Sequence, residues 1–210
     1  MEDILDVYHR PRIEHFPLVC LDEFCKQLLG EIRVEQGVQP GQVARQDSEY
    51  VRHGSASVFV LYAPLEGRRE TYISETATRK ARDYAHALEF VATRMFPEAE
   101  KILLVEDNLN THCDGSLYAA FPPKKARDLA KRFERHHTPK HGSWLNIAES
   151  EISALVRMGL SDRVETSDEL RQQLAAVTHR RNQSGAKTNW QFRTEDARVK
   201  LHSLYPSLQC

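Results

Sequence analysis

The chain has 210 residues, of which 40% are hydrophobic and 28% are charged, with a formal net charge of −1 at pH 7. This length and apolar content suit one compact domain with at most a small appendage. Neither a run of about 18 apolar residues nor a secretory signal is present in the sequence, which excludes a membrane-spanning or exported class and predicts a cytoplasmic protein.

The first part of the sequence predicts a lead-in followed by three strands. Residues 1–16 are interpreted as an extended lead-in or linker. Residues 17–22 (PLVCLD) form a short apolar run that ends in an acid, which is typical of a strand buried on both faces. A polar stretch at 35–50 predicts a loop. The β-branched and aromatic residues at 54–62 and 69–74 then predict a hairpin.

The rest of the sequence alternates helices with apolar strands. An apolar run at 101–107 predicts a second buried strand, and 134–138 predicts a short one. Helical spacing of apolar residues predicts helices at 78–96, 116–121, 124–133, 144–158, 168–181 and 194–204. This order predicts an α/β fold with a mixed sheet, three antiparallel strands and then parallel strands, flanked by helices. We expect the domain core at 17–160 and a packed helical extension at 161–210.

Carboxylates follow both predicted buried strands, as Asp22 and Asp107. A single strand that ends in an acid usually only marks where the strand meets water, but in open sheets ligands bind beyond the carboxyl ends of the strands. A third acid would come from the 144–158 helix. There Glu149 lies roughly 60° from the centre of the apolar stripe and Glu151 roughly 100° away on the other side. This geometry favours Glu149 and leaves open that both are surface acids.

Three carboxylates are oxygen ligands that suit Mg²⁺ or Mn²⁺ rather than zinc. Two such ions, about 4 Å apart, activate a nucleophile and stabilise the leaving oxygen in phosphodiester chemistry. In this hypothesis Asp22 bridges both ions, Asp107 binds one of them and Glu149 binds the other.

A basic stretch suggests how a polyanion would be held. Residues 122–141 carry seven Lys or Arg residues and two acids, and such a local positive field attracts nucleic acid. A solvated helix face would show the same pattern and stays an alternative. The candidate DNA contacts are Lys124, Lys125, Arg127, Lys131, Arg135, Lys140 and His141, with Arg180, Arg181, Arg193, Arg198 and Lys200 as further candidates.

Five motifs in the chain resemble a known family. They are VCLDEFCKQLL at 19–29, YVRHGSASVFV at 50–60, LLVEDNLNTH at 103–112, HTPKHGSWLNIAESE at 137–151 and NWQFRTEDARVKLHSLYP at 189–206. In this order they resemble the bacterial insertion-sequence transposases of the mariner superfamily, the insertion-sequence six-thirty family. The resemblance implies a ribonuclease-H-like fold with an Asp-Asp-Glu metal triad, which falls on Asp22, Asp107 and Glu149.

The resemblance also implies an activity. It predicts the catalytic domain of a DNA transposase, which cleaves phosphodiesters at transposon ends with two Mg²⁺ or Mn²⁺ ions and transfers the strand to target DNA. The expected partners are double-stranded DNA and a second copy of the chain, in a bacterial cytoplasm at the nucleoid. Asn108 and His112 would orient Asp107 or touch DNA, and Asn146 would shape the loop before Glu149. A purely structural role for each remains equally open.

One departure from the family concerns the region before Asp22. Full-length relatives begin with a helix-turn-helix that recognises transposon ends, whereas this sequence opens almost directly on the linker. We therefore expect the catalytic part alone. Two alternatives stay open: a non-catalytic remnant that binds DNA or the intact transposase, and a ribonuclease-H-like nuclease with another substrate.

Overall fold

The computed structural model describes residues 1–32, 49–74, 80–140, 142–161 and 163–205, so most of the predicted 35–50 loop and the candidate contact His141 lie outside the described residues. Within these ranges the strands are β1 (Leu18–Glu31), β2 (Tyr50–Ala63), β3 (Arg68–Ile73), β4 (Ile102–Glu106) and β5 (Phe133–His137). The α-helices are α1 (Glu2–Tyr8), α2 (Ala81–Phe90), α3 (Asp114–Ala120), α4 (Pro123–Ala130), α5 (Ile147–Gly159), α6 (Ser167–Gln183) and α7 (Thr194–Lys200).

The strands form one mixed sheet in the order β3-β2-β1-β4-β5. β1 pairs antiparallel with β2 and β2 with β3, whereas β4 runs parallel to both β1 and β5. Helices α2, α3 and α4 pack on one face, and α1, α5, α6 and α7 pack on the other. The predicted fold class is therefore confirmed: three antiparallel strands and then parallel strands, flanked by helices.

Alternating side chains of β1 divide the core between these two faces. Val19 and Leu21 join the cluster beneath α2, whereas Cys20 joins the cluster that contains α1 and the start of α5. Because successive side chains of a strand point to opposite faces, Asp22 belongs to the α5 side of the sheet.

The first strand is longer than predicted. The apolar pattern indicated a strand that ends at Asp22, but β1 continues to Glu31. β2 stays paired with it along this extension, whereas β4 pairs only with Leu18–Cys20. The extension has one neighbouring strand and exposes Cys25 and Gln27, so it lacks the continuous apolar run of a strand buried on both faces. Asp22 thus lies where β1 separates from β4 and not at the end of a strand.

The expectation of an extended lead-in was wrong for α1. Its buried residues pack in the same cluster as Leu145 and Ala197. Arg198 of α7 donates two hydrogen bonds to the Glu2 carboxylate, at 2.7 and 2.9 Å, and the Thr194 hydroxyl donates to Asp6 at 2.8 Å. A helix of seven residues is too short to be stable alone, and these distant contacts explain why local pattern did not reveal it. The buried residues of α1 are Ile4, Leu5, Val7 and Tyr8.

The other helices lie close to their predicted positions, with three breaks. The helix predicted at 194–204 is α7 followed by a 3₁₀ turn at His202–Leu204. The helix predicted at 78–96 is α2 followed by a π-helical segment at Val91–Met95, and its first two predicted residues lie outside the described residues. The helix predicted at 144–158 is a 3₁₀ turn at Ser143–Leu145 followed by α5. No helix in the described part of the chain is long and apolar enough to cross a membrane.

Candidate active site

The strand register brings two of the candidate carboxylates together. β1 and β4 are parallel, and their last paired residues are Cys20 and Val105. Asp22 and Asp107 each lie two residues beyond this pair, and neighbouring strands are about 4.8 Å apart. Val105 lies in the same core cluster as Cys20, so the two-residue period places Asp22 and Asp107 on the same face of the sheet.

Asn146 attaches α5, the helix that carries Glu149, to β1 beside Asp22. Its side-chain nitrogen donates a 2.8 Å hydrogen bond to the backbone oxygen of Leu21, beside Asp22. Its side-chain oxygen accepts from the backbone N–H of Ala148 at 3.1 Å and so caps α5. Glu149, in the first turn of α5, is thereby held next to β1.

The titration of Asp22 reflects this convergence. The pKa of Asp22 is raised from 3.8 to about 7, chiefly by burial and also by the negative charges of Glu23, Asp107 and Glu149, against a lowering by the Glu23 backbone N–H. Asp107 and Glu149 therefore each lie near enough to Asp22 for their charges to act on it. Such like-charge crowding disfavours the ionised form of a carboxylate.

A divalent cation suits these donors. Within the described ranges, no group of three or more His, Cys, Asp or Glu side chains is already gathered around one point in a way that would hold a metal. The donor set nevertheless consists of carboxylate oxygens, which hard cations prefer. The negative charges of Asp107 and Glu149 help to raise the pKa of Asp22. A bound cation would offset this repulsion.

His112 contacts the second carboxylate directly. Its Nδ1 lies 2.5 Å from Oδ1 of Asp107, and its Nε2 lies 3.6 Å from Oε2 of Glu23. The imidazole stacks on the Tyr84 ring with centroids 4.4 Å apart. Burial lowers the pKa of His112, but the hydrogen bond to Asp107 and the nearby carboxylates outweigh burial, so the pKa is raised. His112, stacked on Tyr84 of α2, thus braces the Asp107 carboxylate.

A buried polar network behind His112 was not foreseen from the sequence. Glu106 is fully buried and accepts hydrogen bonds from the Tyr84 hydroxyl at 2.6 Å and from Arg135 at 2.8 Å. Arg135 also bonds to Tyr84 and to Asp114. The sequence did contain a signal: Glu106 lies in an apolar strand, where a buried acid needs a partner. The sequence could not identify that partner, because Tyr84 and Arg135 lie on other elements.

The environment of Arg135 corrects its predicted role as a DNA contact. Its side chain is only 13% exposed and pairs with the buried Glu106 carboxylate at 2.8 Å. Because this guanidinium is buried and paired with a carboxylate, it is not exposed for contact with a DNA phosphate. Alternation along β5 turns Arg135 inward, and the run of basic residues around it concealed this.

The structure separates the two glutamates of α5. Glu151 is 3% exposed, and its carboxylate pairs with Arg69 at 3.0 Å and with Arg181 at 2.6 Å. The alternative that both acids lie on the surface is therefore wrong for Glu151. Because Glu151 and Arg181 are committed to each other, Arg181 is also not available as a DNA contact, and Glu149 is left as the acid of α5 at the Asp22 edge.

The remaining candidate DNA contacts of the basic stretch that the structure describes lie on the surface. Lys124 pairs with Asp128 one turn along α4, at 2.9 Å. Lys125 contacts the Glu89 carboxylate and lies 4.3 Å from the centre of the Phe121 ring. Exposed pairs of this kind add little stability and exchange readily for a phosphate. The other exposed cations of this region are Arg127, Lys131 and Lys140.

An open cavity adjoins the second carboxylate. It has a volume of about 420 Å³, and its lining includes Asp107, Asn108, Lys140 and Ser143. Asn108 is exposed, whereas Asn146, the other predicted asparagine, is buried as the α5 cap. The cavity therefore offers an ammonium group and two polar side chains beside the Asp107 carboxylate.

Comparisons with known proteins identify a matching family and similar folds. The family described as DDE superfamily endonuclease matches residues 17–171. Solved structures of the Mos1 mariner paired-end complex with Mn and of the Mos1 strand transfer complex each match with a TM-score of 0.52, over 89% of this chain, at 17% and 16% identity. The Mos1 paired-end complex with the left transposon end matches with a TM-score of 0.53, over 88% of this chain, at 18% identity.

These structural matches share the ribonuclease-H-like fold. The chain spans 60%, 59% and 55% of the three Mos1 chains. No curated protein matches the sequence. The family match covers most of the chain, from the residue before β1 into α6. The chain therefore belongs to the DDE superfamily of endonucleases.

Proposed function

We propose that this chain is the metal-dependent catalytic domain of a DNA transposase of the insertion-sequence six-thirty type, which cleaves DNA at transposon ends and joins it to target DNA. The observation that carries the proposal is the placement of Asp22 and Asp107, each two residues beyond the last pair of β1 with β4, and of Glu149 in the first turn of a helix bonded to β1. The register of β1 with β4 and the Asn146 hydrogen bond to β1 support it.

These three carboxylates are the residues that would hold the proposed Mg²⁺ or Mn²⁺ ions. Bound there, the ions would supply an activated nucleophile and stabilisation of the leaving oxygen. The chain's own contribution is positioning: His112 braces Asp107 at 2.5 Å, and Asn146 holds the first turn of α5 against β1. Such outer contacts tune ligand orientation.

The proposed DNA path passes the cavity beside Asp107. Lys140 lines this cavity, and Arg127 and Lys131 are exposed on and just after α4. Cations of this kind contact phosphates without reading the base sequence. The Mos1 structures are complexes with transposon ends, which supports double-stranded DNA as the substrate here.

Nicking of supercoiled plasmid in Mn²⁺ tests the proposed function. We expect Asp107→Ala to lower nicking by roughly 10³-fold, because one partner of the catalytic unit is lost. Asp128→Ala, an exposed acid of α4, is the matched control and should keep full activity. Equal background nicking by the wild type and by Asp107→Ala would instead favour a non-catalytic remnant.

Salt dependence tests the proposed DNA surface. Removing Arg127 and Lys131 together should weaken DNA binding and reduce the slope of log affinity against log salt by about 2, near 1 for each phosphate contact. Arg171→Ala is the control, because Arg171 lies on α6, which packs against the edge strand β3. Fluorescence anisotropy from 50 to 200 mM salt measures both slopes. An unchanged slope in the double variant would remove α4 from the proposed path.

A further inference from the structure

Helix α1 lies outside the residues that match the endonuclease family, which begin at residue 17, yet its last residue reaches the candidate site. The Tyr8 hydroxyl donates a 2.6 Å hydrogen bond to the backbone oxygen of Leu145. It also accepts one from the backbone N–H of Ile147, at 3.3 Å. Tyr8 is 5% exposed, so both bonds form away from water, where a lost partner is costly.

These two bonds lie on either side of Asn146, the residue that caps α5 and donates to the Leu21 oxygen. The backbone N–H of Glu149 in turn donates to the Asn146 oxygen at 3.1 Å. The start of α5 is therefore held from two directions, by β1 through Asn146 and by α1 through Tyr8. One turn of helix connects this double anchor to the Glu149 side chain.

We propose that Tyr8 is a positioning residue for Glu149: its hydroxyl sets where the first turn of α5 lies relative to Asp22. The inference rests on the proposed function, because it assumes that Glu149 binds metal. The Tyr8 ring has a separate packing role, with its centroid 5.3 Å from that of Trp190. Phenylalanine at position 8 therefore keeps the packing and removes only the hydroxyl bonds.

The test compares Tyr8→Phe with Tyr205→Phe. Tyr205 donates a 2.9 Å hydrogen bond to Glu2, so both variants remove one hydroxyl that contacts the α1 region, but only Tyr8 touches the start of α5. Mn²⁺ binding is followed without DNA by electron paramagnetic resonance of the free ion, and plasmid nicking is measured separately. We expect Tyr8→Phe to weaken Mn²⁺ binding about tenfold and to lower the nicking rate, while Tyr205→Phe matches the wild type.

Rescue and reference variants make the outcome decisive. 4-Aminophenylalanine at position 8 keeps a donor in the same place and should restore Mn²⁺ binding, which a change in folding alone would not explain. Equal Mn²⁺ affinity in Tyr8→Phe and the wild type, or an equal loss in Tyr205→Phe, overturns the inference. Glu149→Gln distinguishes a failure of the proposed function from a failure of the role proposed for Tyr8. If it binds Mn²⁺ like the wild type, the proposed function fails, whereas if it loses Mn²⁺ and Tyr8→Phe does not, only the role of Tyr8 fails.

Discussion

Asp22→Asn is expected to abolish nicking and at the same time to stabilise the metal-free protein. Asparagine preserves the shape of the side chain and can still accept the backbone hydrogen bond from Glu23, which Asp22 accepts at 2.8 Å. It removes a charge whose burial, together with neighbouring carboxylates, raises the Asp22 pKa to about 7. The loss of activity should be on the order of 10³-fold, as for other members of a catalytic unit.

The gain in stability has a defined pH window. The folded-state pKa of Asp22, about 7, lies above its ordinary value of 3.8, so the folded protein binds more protons than the unfolded chain between these values. Asp22 therefore lowers stability increasingly from pH 4 to pH 7, and fully above pH 7. Asp22→Asn should raise the unfolding free energy by about 2–4 kcal/mol above pH 7 and leave it unchanged below pH 4.

Urea unfolding in EDTA at pH 4 and pH 8 measures this difference. Asp128→Asn is the control, because its carboxylate is exposed on α4, and it should show no such gain at pH 8. A destabilised Asp22→Asn protein at pH 8 would contradict the view that Asp22 is held in a repulsive cluster.

The largest loss of stability is expected from Glu151→Ala. This carboxylate, 3% exposed, pairs with the fully buried Arg69 and with Arg181. Its removal leaves the Arg69 guanidinium charged inside the protein between β3 and α5. Breaking a buried pair in this way costs about 3–5 kcal/mol, which urea unfolding measures directly.

Two further variants interpret that loss. Asp168→Ala removes an acid that is 83% exposed and pairs with Arg171 on the surface of α6, and it should change stability by less than about 1 kcal/mol. Combining Glu151→Leu with Arg69→Met removes the buried charge together with its partner, so most of the stability should return. A double variant as unstable as Glu151→Ala would mean that packing, and not charge, governs this site.

Much of the fold could be predicted because its core strands and helices carry local patterns. The apolar runs located β1 and β4, and their order predicted the mixed sheet that the structure contains. The full length of β1 could not be predicted, since its second half is defined by pairing with β2. α1 was missed for a similar reason: its stability comes from α7, nearly the whole chain away.

The candidate carboxylates rest on local sequence signals, whereas their surroundings do not. Asp22 and Asp107 follow from where apolar strands meet polar residues, and helical angle favoured Glu149. The helical angle did not predict that Glu151 is buried, because its partner Arg69 is a buried residue of β3. Arg135 was misjudged because charge counting cannot distinguish a surface cation from one neutralised inside the protein. Partners distant in sequence decide these cases.

The contact between α1 and α7 also has a consequence for synthesis. A ribosome makes α1 before α7, so Arg198 can reach Glu2 only after the residues between them have been synthesised. Until then α1 lacks its contact with α7, which helps to position the Tyr8 hydroxyl beside the Leu145 oxygen. The packing of α1, and with it the contact between Tyr8 and the start of α5, would thus be completed only after α7 has been made.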